Sequence, residues 1–77
     1  MKEIQGYIAI VPNDPSGKGL LYFTELAAIT HAKTFDGLVE RHWDDPNSTM
    51  INRQHWVERP QPVKIFTLAI KEEIKWT

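Results

Sequence analysis

The amino-acid sequence predicts one small α+β domain over residues 1–77, ordered β-β-β-α-β, with a single helix packed on one face of an antiparallel sheet. Three observations lead there. Two stretches rich in β-branched and aromatic residues, 4–11 and 63–70, lie near opposite ends of the chain. A dense run of turn formers, 12–19, follows the first of them. Between them, Phe35, Leu38, Val39 and His42 recur at the i, i+3, i+4, i+7 spacing of an amphipathic helix.

Ile4 to Val11 alternates Ile4, Ile8 and Ile10 on one face with Tyr7, Ala9 and Val11 on the other, as a central strand with two apolar faces would. Pro12-Asn13-Asp14-Pro15-Ser16-Gly17-Lys18-Gly19 stops that strand, and Leu20 to Thr24 resumes as the second arm of a hairpin. From Glu25 to Lys33 two tendencies compete: Ala27 and Ala28 suit a helix, whereas Ile29-Thr30-His31 reads better as a short third strand. Thr34 is the expected helix N-cap, its hydroxyl accepting a free backbone N–H, with Asp36 complementing the helix dipole in the first turn. Asp44-Asp45-Pro46-Asn47 ends the helix, because the residue before a proline avoids helical geometry. Residues 48–59 fit either a short helix or an irregular strand. After Pro60-Gln61-Pro62, the stretch Val63 to Ile70 is a strong strand that is expected to run on toward Trp76. One helix covers one face of such a sheet, so a partner is expected on the other face.

Composition narrows the function. Apolar residues make up 42% and charged residues 25%, which suits a globular chain. With no cysteine, disulfides, thiol catalysis and cysteine-based metal sites are excluded. A domain this short buries only about 60% of its unfolded surface, and association is the remaining remedy, so a homodimer or a bound partner is expected. The formal charge is −1 but uneven: residues 1–45 hold four Lys/Arg against seven Asp/Glu, residues 46–77 five against three. An anionic partner would prefer the second half. No apolar run reaches the roughly 20 residues of a membrane span, and the N-terminus lacks signal-peptide features, so a cytoplasmic location without membrane association is the expectation.

The catalytic motifs are weak. Gly17-Lys18-Gly19 resembles part of a phosphate loop but lacks the spaced first glycine and the Ser/Thr after the lysine, and a hairpin turn explains it. His31, His42 and His55 lack metal-site spacing, so neither a metal nor any other cofactor is expected. Glu40 and Asp44 share a helix face, within an acidic run with Asp36 and Asp45 that reads as a solvated surface rather than a paired-carboxylate site. The chain is not expected to be an enzyme.

The candidate binding residues are Arg53, His55, Trp56 and Arg59, with Trp43 and Trp76. Arginine and tryptophan combine large contact area with directional hydrogen bonding, which enriches them at binding hot spots. The same mixture in segment 53–59 would stack on bases and contact phosphates, so a small RNA- or DNA-binding module is the alternative. Trp56 equally suits a core plug.

The strands Tyr7 to Val11 and Leu21 to Leu26, the stretch Thr30 to Thr34, the helix Phe35 to Arg41 and the strand Val63 to Ile70 are similar to the HicB family of antitoxins. Where that family has Pro and Gly after the second strand, this chain has Thr24-Glu25-Leu26-Ala27-Ala28, and the DNA-binding segment of many members does not follow Thr77. The resemblance implies a domain that masks a small RNA-cleaving toxin by steric cover. The functional expectation is therefore a non-catalytic inhibitor, an antitoxin or an anti-defence or host-takeover inhibitor from a mobile element. It would occlude a partner protein (a toxin, nuclease or host factor) with the open sheet face, the edge formed by Val63 to Ile70 and the Arg53–Arg59 segment.

Overall fold

The computed structural model describes residues 2–72. Four elements follow one another: β1 (Lys2–Ile10), β2 (Leu20–Tyr22), α1 (Glu25–His42) and β3 (Lys64–Glu72). The strands form one antiparallel sheet in the order β2-β1-β3. The α+β class and the antiparallel sheet with one helix are as expected, and Trp76 lies outside the described residues.

The order differs from expectation at one point. Ile29-Thr30-His31 forms no strand but belongs to α1, which begins at Glu25 and runs 18 residues. The cap is Thr24 rather than Thr34: Thr24 is extended, and its hydroxyl accepts the Ala27 N–H at 3.2 Å. The physical reason is packing. Ala28, Ala32 and Val39 form a buried helical stripe, with Ala28 wholly buried, and small alanines let the helix sit close to the sheet. The modest helix penalty of Ile29 and Thr30 is outweighed by that burial. At the other end the Trp43 N–H bonds the Val39 carbonyl at 2.9 Å before the chain leaves the helix.

β1 and β3 pair over nine residues in an unbroken register, from Lys2 opposite Glu72 to Ile10 opposite Lys64. β2 covers only Tyr7 to Ala9 of the other side of β1. The turn between them is built on Asp14, whose carboxylate Oδ1 accepts the Ser16 N–H at 2.9 Å and its hydroxyl at 2.8 Å. Gly17 completes it at φ +67°, a conformation that side chains disfavour.

Residues 48–63 form neither helix nor strand but short turns, so both expected alternatives give way to an irregular strap. The strap is tied down along its length. Ser48 Oγ meets His42 Nδ1 at 2.9 Å, and Ile51 plugs the core. Asn13 donates to the Arg59 carbonyl at 2.9 Å and accepts the Gln61 N–H at 2.8 Å, and Asp36 accepts the Val63 N–H at 3.0 Å. With its backbone groups satisfied by side chains, this stretch needs no regular structure. The Cα radius of gyration is 15.8 Å, against about 11.5 Å for a compact chain of this length.

Candidate binding surface

The strand register sorts the sheet residues between two faces. Tyr7, Ala9, Tyr22 and Ile65 lie toward α1: Ala9 and Tyr7 pair with Leu20 and Tyr22 of β2, and Tyr22 stands 5.7 Å from His31 of the helix, ring to ring. From Tyr22 an aromatic series continues through His31, Phe35, Trp56 and His55, with ring centroids 5.0–6.3 Å apart at each step. Such pairs add about 0.5–1.5 kcal/mol each beyond burial. The series ends at Asp14, whose Oδ1 is 2.8 Å from His55 Nε2. A cavity of about 260 Å³ beside it is lined by Ala9, Val11, Phe35 and Trp56 among others.

The opposite face holds Ile4, Gly6, Ile8, Ile10, Leu21, Lys64, Phe66, Leu68 and Ile70. Seven of these nine are large and apolar, and among the described residues no helix or strap covers them. Leu21 is 48% and Phe66 54% exposed, and Ile4, Ile8, Ile10, Leu68 and Ile70 are half-buried. Gly6 lies at the middle of this face. A Cβ there would come within 2.9 Å of Ile70 Cδ1 and 3.1 Å of Leu21 Cδ1, so glycine lets side chains from both flanking strands close over β1. A contiguous apolar face on a monomer marks an interaction site. The expectation of one covered and one open face is met.

The residues singled out from the sequence fall in three places. Arg53 lies at the end of α1, donating to the carbonyls of His42 at 3.0 Å and of Trp43, with its guanidinium 4.3 Å from the Trp43 ring centroid. It thereby caps the helix C-terminus, where a cation also meets the negative end of the dipole. Arg59 reaches Asp44 only loosely, at 3.9 Å between two exposed side chains. His55 and Trp56 sit on the far side of the strap, half-buried against Asp14 and Phe35. The structure thus separates Arg53, Trp43 and Arg59 from His55 and Trp56, and none of the five lies on the apolar sheet face.

Asp14 has a shifted acidity. Burial pushes its carboxyl up, but hydrogen bonds from the Ser16 N–H, the Ser16 hydroxyl and His55 outweigh this and hold it below its ordinary value of 3.8. The contacts read as a clamp from turn to strap rather than a catalytic dyad: Ser16 bonds the carboxylate and not the imidazole, so no hydroxyl is activated. Among the described residues no group of histidines and carboxylates could hold a metal ion, and no helix is long and apolar enough to cross a membrane.

The sequence did not single out Leu21 for binding, and it placed Phe66 and Leu68 in the binding surface only as part of the strand edge Val63 to Ile70. The alternation of 64–70 could have placed Phe66, Leu68 and Ile70 on one face, but only the register shows that this is the face of Ile4 and Ile8. No family model matches the chain, and comparison with curated proteins and with solved structures finds no match either.

Proposed function

We propose that the chain is a small non-catalytic binding protein that occludes a functional surface of a partner protein, docking it on the uncovered face of the sheet. One observation carries this reading: seven large apolar side chains share that face with no layer over them. Covering such a face stabilises a complex by about 25 cal/mol per Å² of apolar surface removed from water, before the costs of association. Lys64 is the one charged residue among the face positions with described side chains, so the fitting partner surface is itself apolar at its centre.

The absence of an evident reactive group supports the non-catalytic part. Asp14 and His55 hold each other, His42 meets Ser48, and Asp36 takes the Val63 N–H. The order strand, strand, helix, strand keeps part of the antitoxin-like pattern, without its short third strand. The biological setting proposed is therefore cytoplasmic inhibition, either of a toxin or nuclease by an antitoxin or of a host factor by a mobile element. The nucleic-acid alternative draws less support, because Arg53 is engaged in capping the helix and Arg59 faces Asp44.

Capture of the tagged protein's partner from its host lysate, with and without nuclease, tests the reading. A stoichiometric protein that survives nuclease and is lost with Leu21→Lys supports it. Recovery of nucleic acid, with proteins lost on nuclease treatment, would replace it with the alternative.

A further inference from the structure

The outer edge of β3 is as open as the sheet face. β3 stands at the end of the β2-β1-β3 order and pairs with β1 through all nine residues without a bulge, so among the described residues its outward N–H and C=O groups have no strand beside them. Natural edge strands are blunted by prolines, bulges or charges within the strand. The central stretch Ile65-Phe66-Thr67-Leu68-Ala69-Ile70 has none of these. The opposite side of the sheet offers less: β2 has three residues, and the uncovered part of β1 spans Lys2 to Gly6.

We propose that β3 pairs antiparallel with β3 of a second copy of the chain about a two-fold axis at Leu68, joining two sheets into one of six strands. The sequence of the strand selects a copy of itself as occupant. An antiparallel strand centred on Leu68 sets Leu68 opposite Leu68 of the second copy, and Phe66 opposite Ile70. The same register sets Lys64 opposite Glu72, so residues of opposite formal charge meet at both ends. On the helix side, Thr67 falls opposite Ala69, and both are small and exposed. Pairing at the usual spacing of about 4.8 Å also makes the two apolar faces one continuous surface. The pairing uses the edge, and so stands apart from whatever covers the face.

Residue 68 facing itself provides a specific test. At about 100 µM, sedimentation equilibrium should give twice the chain mass for the unaltered protein. Leu68→Lys and Leu68→Glu should each weaken self-association at least tenfold, because like charges then meet on the axis. An equimolar mixture of the two should recover a one-to-one heterodimer. A monomeric parent, a dimer indifferent to Leu68→Lys, or a mixture that stays monomeric while both variants keep the parent's circular dichroism would overturn the proposal. Should either variant lose its fold, the cysteine-free background supplies a second route. With a thiol oxidant, Leu68→Cys should give a covalent dimer and Leu21→Cys should not; the reverse would overturn the edge assignment. Leu21→Lys separates this from the proposed function, since Leu21 lies on β2, at the opposite edge of the sheet from β3, and its replacement should leave the dimer intact while abolishing partner capture.

Discussion

The two faces of the sheet are built from different side chains. The covered face fully buries only small and medium side chains, Ala9 and Val11 on the sheet side toward Ala28, Ala32 and Val39 with Ile51 from the strap, while its rings Tyr22, Phe35 and Trp56 stay half-buried. The uncovered face carries the bulk, with four isoleucines, two leucines and Phe66. A chain optimised only for its own stability would place the larger groups inside, where each contributes about 1.5–3 kcal/mol on burial. Here they stand on a face that none of the other described elements covers. Under the proposed function, stability resides on one face and recognition on the other, and substitutions should divide accordingly.

The largest effect is expected at the tightest contact of the covered face. Ala28→Leu forces extra methyl groups between helix and sheet at a wholly buried position, costing about 2–3 kcal/mol. A domain of this size rarely has more than about 3–5 kcal/mol to lose, so much of the population should unfold; urea denaturation followed by circular dichroism measures this. Arg53→Ala should cost about 1 kcal/mol in the same assay, through lost helix-end hydrogen bonds and the contact with Trp43. Arg53→Lys should recover only part, since an ammonium lacks the guanidinium fork. On the uncovered face, Phe66→Lys should change folding stability by less than about 0.5 kcal/mol, because its side chain is already half in water. A destabilisation there as large as that of Ala28→Leu would break the division between the faces.

The smallest expected effect is pH-dependent. Asp14 titrates lower in the folded state than in the unfolded chain, so its contribution is complete above the ordinary carboxylate value and is lost as pH falls through the lower folded value. Stability should therefore decline below about pH 4, and Asp14→Asn should flatten that part of the profile. An unchanged profile in Asp14→Asn would show that the turn-to-strap clamp contributes nothing.

Strands were legible in the sequence because their signals are local: β-branched runs bounded by Pro12-Asn13-Asp14-Pro15 and Pro60-Gln61-Pro62. The first half of α1 was obscured because Ile29-Thr30-His31 favours strand by propensity, and only contact of Ala28 and Ala32 with the sheet tips it to helix. The sequence pointed to Thr34 as the cap, whereas Thr24 caps the helix because that burial begins ahead of Thr34. The open face was legible in β1 from Ile4, Ile8 and Ile10, whereas the contributions of β2 and β3 depend on register. Arg53 drew notice as a binding residue because composition alone cannot reveal that it reaches helix-end carbonyls ten and eleven residues back. The pairing of His55 with Asp14, 41 residues away, left no local signal at all.

Partner capture by the parent chain and by Leu21→Lys, side by side under nuclease, tests the division of labour most directly. Leu21 is 48% exposed on the uncovered face and remote from the helix, so its replacement should leave the fold intact. The account predicts one stoichiometric protein with the parent and none with the variant. Equal recovery with both would contradict the claim that the uncovered face is the binding surface.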